Sequence, residues 1–295
     1  LLALPLSRNL GAVQRLIVQL GLALCAATLA ACATARTPST ERKEPLAARV
    51  QAEGLLFEVL YTEPDHVEVA RIGSGLLAAG ARLSRWGSFR QGVLVRVFPD
   101  HDTLEAALDR HGYPWLRAWA FGDQVLLQSP RSWGAGGPAG DELSELLTHE
   151  LTHSLMYQLM DPPDSTLGPD ALLEEPPLWF REGMASVTAG QGHRRLSGEA
   201  LGKWLAVHPG VDLLHPDVEL YRTEKEAVYG AAHRAFELLL RVAGDQAIRD
   251  VLRGVREGAR FTDAFKAATG RGLPDFERDA IRTGFAAPAH GAGGP

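Results

Sequence analysis

Hydrophobic positions change their period along this chain. Residues 55–62 (LLFEVLYT) read as a strand, residues 64–84 carry apolar side chains at helical spacing, and residues 93–98 (VLVRVF) read as a second strand. A short helix is predicted to open after Asp100 or Asp102. The segments RAWA (117–120) and QVLLQS (124–129) flank Phe121, Gly122 and Asp123, which predicts a hairpin. Beyond the breaker-rich GAGGPAG the signals turn helical. Asp141 is placed as the N-cap of a helix running to about Met160, and Trp179, Phe180 and Met184 form one apolar face of another helix after Pro176 and Pro177. A strand-rich half followed by a helical half predicts an α+β fold rather than a doubly wound sheet.

Composition keeps this picture globular. Of 295 residues, 45% are hydrophobic and 22% charged, enough to bury a core without disulfides. A formal net charge of −6 carries no basic footprint, so a nucleic-acid partner is not expected.

The amino-terminal pattern differs. Arg8 and Arg15 precede an apolar run over residues 16–31, the layout of a secretory signal. Leu29-Ala30-Ala31-Cys32 resembles a bacterial lipobox, which implies a signal peptide over 1–31 and lipidation of Cys32. An uncleaved anchor or a plain signal peptide are the alternatives. Residues 32–45 are polar and aperiodic and are expected to tether the domain to the membrane; residues 286–295, rich in Gly, Ala and Pro, are expected to be a disordered tail. The remaining chain divides between a mixed-sheet part over 46–140 and a helical part over 141–285. A lipid-anchored envelope location is expected, with Ala33 after the cysteine favouring the outer membrane, facing the periplasm or the exterior. The only cysteines are Cys25 and Cys32, so a cysteine nucleophile and a Cys-rich metal site are excluded.

Chemistry concentrates in His149-Glu150-Leu151-Thr152-His153. Four residues are about one helical turn, so both imidazoles project from one face and can hold one ion, while Glu150 can reach a water beside it. This is the HExxH arrangement, with the glutamate as general base. Two histidines leave a zinc site short of a third protein ligand. Glu182, among Trp179, Phe180 and Met184, is the expected one; Glu174 and Glu175 are rivals in the preceding loop. One Zn2+ per chain is expected.

HELTH followed by LWFREGMAS resembles the gluzincins, specifically the bacterial peptidase-MA-like family. Residues 113–133 and 261–279 extend the likeness, which covers roughly residues 50–285. The resemblance implies a zincin-like fold: an N-terminal mixed sheet with helices, the HExxH helix, and a helical C-terminal subdomain. It implies hydrolysis of peptide bonds in a peptide or protein substrate, with His149, His153 and Glu182 on zinc and Glu150 as base. Gluzincins commonly supply an oxyanion donor from the C-terminal half. Tyr229 is the expected donor, with His233 and Tyr221 as rivals and helix packing as the plain structural alternative for Tyr229. Ser186 stands where several gluzincins have a carboxylate and is a candidate partner for a ligand histidine. The strand 124–129, if exposed at a sheet edge, can pair with an extended peptide; an interior position is the other reading. The acidic loop 161–175 can rim the cleft or simply be solvated. The other histidines (His66, His101, His111, His193, His208, His215 and His290) lack ligand spacing. A different class of function, a zinc-stabilised scaffold lipoprotein that binds peptides without cleaving them, fits less well, because structural zinc needs no general base.

Overall fold

A computed structural model describes residues 45–52, 55–162 and 172–285. Its sheet is built from β1 (Leu46–Ala52), β2 (Leu55–Tyr61), β3 (Val93–Phe98), β4 (Ala118–Phe121) and β5 (Gln124–Gln128), in the spatial order β1-β2-β3-β5-β4. The two central pairings, β2 with β3 and β3 with β5, are parallel, and both outer strands are antiparallel to their neighbours. In β3, Val93, Val95 and Val97 point into the core while Arg96 is exposed, the period-two alternation of a strand with one covered face.

The helices are α1 (Val69–Leu83), α2 (His101–Leu108), α3 (Glu142–Met160), α4 (Leu178–Thr188), α5 (Gly198–Val207), α6 (Val218–Thr223), α7 (Lys225–Arg256), α8 (Phe261–Thr269) and α9 (Leu273–Asp279). Gly244, at φ 75°, interrupts α7 with a kink between two helical pieces. Helix α3 is the centre of the molecule. Leu147, Leu151, Leu155, Met156 and Met160 are fully buried, and the helix packs against α1, α4, α7 and β4. Covered on nearly all sides, it shows little amphipathicity, as expected for a helix inside a core.

The fold is the expected α+β arrangement, with differences in detail. Strand β1 extends the sheet ahead of the first predicted strand. The predicted helix over 64–84 is a 3-10 segment, Glu63–Glu68, followed by α1. Asp141 occupies the N-cap position of α3 without a side-chain capping bond. Strand β5 is interior, and the edge on that side of the sheet belongs to β4, with β1 at the opposite edge. The hairpin is as predicted, but the strand available to a partner is its first, not its second. Among the described residues no helix is long and apolar enough to cross a membrane. Cys32, the expected tether, most of the acidic loop and the expected tail lie outside the described residues.

Candidate metal centre

Helices α3 and α4 meet through their most buried faces, and their polar side chains meet with them. Trp179 and Phe180 are buried on α4, with Trp179 stacked on Phe276 at 5.3 Å and Phe180 edge-on to Phe236 at 5.4 Å. That packing turns Glu182 toward α3. Its Oε2 lies 3.2 Å from His149 Nε2 and 3.6 Å from His153 Nε2, and the two imidazole nitrogens are 3.3 Å apart. The three donor atoms lie within 4.8 Å of one another, a group able to hold a metal ion. Two imidazoles and one carboxylate form an N/O donor set suited to zinc, leaving a coordination position open.

Burial raises the electrostatic stakes. Glu182 is 8% exposed; burial alone would raise its pKa, but His153 and His149 overcome that and hold the carboxyl well below its usual range. Burial pushes His149 down, whereas at His153 the Glu182 carboxylate outweighs burial and draws the imidazole up. Glu150 behaves in the opposite way to Glu182. Burial pushes its carboxyl up to about 7, opposed by His153 and by a hydrogen bond from the Ala120 backbone N–H. One carboxylate is thus held ionised among the imidazoles, while its neighbour is poised to exchange a proton near neutrality.

These groups open onto a cleft of about 730 Å3, lined on one side by β4 and on the other by the start of α7. The β4 backbone faces this space. Gln128 N donates to Arg117 O at 2.8 Å, so by antiparallel alternation residues 117, 119 and 121 bond toward β5, and Ala118 and Ala120 turn their backbone groups outward.

Tyr229 reaches the site from α7. Its ring centroid is 6.2 Å from that of His149, and its hydroxyl is 2.9 Å from that of Tyr221. Burial and the Glu182 carboxylate raise Tyr229 well above its ordinary value, so it is a proton donor at neutral pH. Tyr221 also lines the cleft and is likewise raised by burial. His233 does not belong here. It is buried beneath Ser186, whose Oγ lies 2.9 Å from its Nδ1, and it does not line the cleft.

Ser186 also departs from expectation: it is hydrogen-bonded to Arg195 and His233 rather than to a histidine of the cluster. The group that touches His149 is Gln191, with Oε1 3.2 Å from Nδ1. Gln191 sits in a 3-10 turn after α4, where no sequence period marks it. The rival carboxylates are employed elsewhere. Glu174 accepts hydrogen bonds from Thr262 and Arg260, and Glu175 lies at the cleft rim, 3.7 Å from Arg181.

No protein-family model and no curated protein sequence matches the chain. Among solved structures, it is similar to an aminopeptidase A from Legionella pneumophila, crystallised with aspartic acid, at a TM-score of 0.50 and 14% identity over 80% of this chain. An aminopeptidase N family protein from Idiomarina loihiensis gives 0.46 and 16% over 80%, and an M1 zinc metallopeptidase from Deinococcus radiodurans gives 0.47 and 15% over 83%. This chain spans about a quarter of the first protein (27%) and about half of the others (46% and 53%). At the first protein's level of likeness the fold is shared: a mixed sheet, the central helix and a helical C-terminal part.

Proposed function

We propose that the chain is a zinc-dependent peptidase that hydrolyses the amide bond of an extended peptide with water. The observation that carries this reading is the convergence of His149, His153 and Glu182 on one point, beside a further carboxylate, Glu150, that the cluster does not use. A purely structural site would have no need of that fourth group. The shared fold with an aminopeptidase supports the same reading.

The donor set fits zinc. His149, His153 and Glu182 would hold the ion, which when bound polarises a carbonyl and makes water a nucleophile near neutral pH. The residues of the chain perform the remaining work. The outward backbone groups of Ala118 and the outward carbonyl of Ala120, whose N–H is engaged by Glu150, pair with the substrate as an added strand and lay its scissile bond beside α3. Glu150 removes a proton as the water oxygen bonds to the carbonyl carbon. It returns that proton to the nitrogen as the C–N bond breaks, so its charge is restored each cycle. Burial, which favours the protonated form of Glu150, helps the carboxylate take up and hold that proton before returning it. Tyr229, protonated and facing the cluster, donates to the carbonyl oxygen as negative charge develops there. We also infer from the sequence pattern that Cys32 carries a lipid and that the domain works at the cell envelope.

Zinc content and turnover, measured together, test this. The purified protein should contain about one zinc per chain, and Glu182→Ala should lose it. Glu150→Gln should keep the zinc and lose peptide hydrolysis. A folded protein that binds no zinc when the ion is supplied, or a Glu150→Gln variant that still turns over, overturns the reading.

A further inference from the structure

A polar chain runs from His149 along the cleft wall at Gln191 and Arg195 and then inward to Ser186 and His233. His149 Nδ1 is 3.2 Å from Gln191 Oε1, and the same oxygen accepts a hydrogen bond from Arg195 Nη2. Arg195 Nε donates to Ser186 Oγ at 3.0 Å; Ser186 lies against His233 Nδ1 at 2.9 Å, and His233 Nε2 is 3.4 Å from Glu237. Ser186, His233 and Gln191 are 0%, 2% and 8% exposed.

The order of donors along this chain is fixed by one residue. A guanidinium has five N–H groups and no acceptor. The Gln191 atom facing Arg195 is therefore the amide oxygen and not the amide nitrogen. Because that oxygen also faces His149 Nδ1, the ring nitrogen there must carry the proton. His149 is then left with its Nε2 lone pair directed toward Glu182 and His153, as a metal ligand requires.

Gln191 is itself held in place from below. Its turn follows Gly190 at φ 74°, where a Cβ would be strained. A Cβ on Gly192 would stand 2.9 Å from His233 Nε2, so glycine lets the turn settle directly onto that ring. Arg82 Nη1 donates to Ala189 O just before the turn.

We propose that Gln191 and Arg195 are positioning residues for the metal: Arg195 orients the Gln191 amide, and Gln191 holds His149 in the Nδ1–H tautomer. This rests on the zinc reading of His149, His153 and Glu182, and adds a residue pair in the cleft wall that acts on the ion through His149 rather than by binding it.

The test uses 15N-labelled protein in two arms, each with the parent, Gln191→Leu, Gln191→Glu and Arg195→Met. In the first arm, long-range 1H–15N spectra of zinc-free protein report the His149 tautomer where the ring is neutral. In the second, competition with a chromogenic chelator reports zinc affinity. The parent should show a single Nδ1–H tautomer. Gln191→Leu should show mixed tautomers and bind zinc roughly 10- to 100-fold more weakly. Arg195→Met should move both readouts in the same direction. Gln191→Glu, whose carboxylate still accepts from both neighbours, should restore both, a rescue that loss of packing alone would not give. Parent-like tautomer and affinity in a folded Gln191→Leu variant overturn the proposal, as does a Gln191→Glu variant as weak as Gln191→Leu. Failure of the parent to bind zinc would instead refute the peptidase reading, while the metal-free spectra would still decide whether Gln191 sets the tautomer.

Discussion

Two tyrosines share one hydrogen bond at the mouth of the metal centre, and only one is close to the histidines. The Tyr229 ring is 6.2 Å from His149, whereas Tyr221 stands behind it, hydroxyl to hydroxyl at 2.9 Å. Both rings pack edge-on against Trp115, so neither hydroxyl swings freely. If Tyr229 donates to the developing oxyanion, removing its hydroxyl takes away an interaction made mainly in the transition state. Tyr229→Phe should therefore lower kcat by about 10²- to 10³-fold with KM nearly unchanged. Tyr221→Phe, which removes only the support, should cost less. Steady-state kinetics on the two variants separate the roles, and equal losses would show that the pair acts as one unit.

At the scale of elements, the site depends on how closely α4 approaches α7. A Cβ at Gly183 would lie 2.4 Å from Ala232 O and 2.6 Å from Phe236 Cβ, so glycine beside Glu182 is a packing requirement of this crossing. Gly183→Ala should force the helices apart, destabilise the fold by about 1–3 kcal/mol in denaturant titrations, and weaken zinc binding by displacing Glu182. An unchanged midpoint would mean that α7 yields without cost. The same crossing explains what could be read in advance. His149, Glu150, His153 and Glu182 were legible because helical spacing carries them, with Trp179 and Phe180 marking the buried face around Glu182. Gln191 and Arg195 were not, since their roles arise from a turn folding back over α3, a contact without a period. Nor could sequence separate β4 from β5 as the free edge. Both strands look alike locally, and only pairing of β5 with β3 decides the matter. Ser186 was the reverse case, placed one turn beyond Glu182 but aimed at His233 rather than at the metal ligands.

Across the whole molecule, ionised carboxylates anchor the fold at points far from the metal. Asp65 is fully buried. Desolvation would raise its pKa, but the hydroxyls of Ser129 and Thr62 and the guanidinium of Arg131 more than offset this and lower it. Thr62 donates to Asp65 at 2.6 Å and Arg131 at 2.6 Å, which ties the segment after β2 to the segment after β5. Glu237, at the far end of the chain through His233 and Ser186, is lowered from 4.5 to about 2, first by His233 and then, against desolvation, by Arg234. A carboxyl whose pKa is lower in the folded state stabilises it fully above the unfolded value and loses that contribution as pH falls through the folded one. For Glu237 the window runs from about 4.5 down to about 2. The side chain is 41% exposed, so solvent screens part of its share. Thermal midpoints of the zinc-free protein should accordingly decline as pH falls across that window. Glu237→Gln should make the decline shallower while lowering the midpoint near neutrality. Asp65→Asn should do the same more strongly, because Asp65 is fully buried and its interactions are not screened by solvent as those of Glu237 are. Matching pH profiles in the parent and both variants would mean that acid sensitivity originates at the metal-centre carboxylates instead, and adding zinc, which competes with protons for Glu182, would then suppress it.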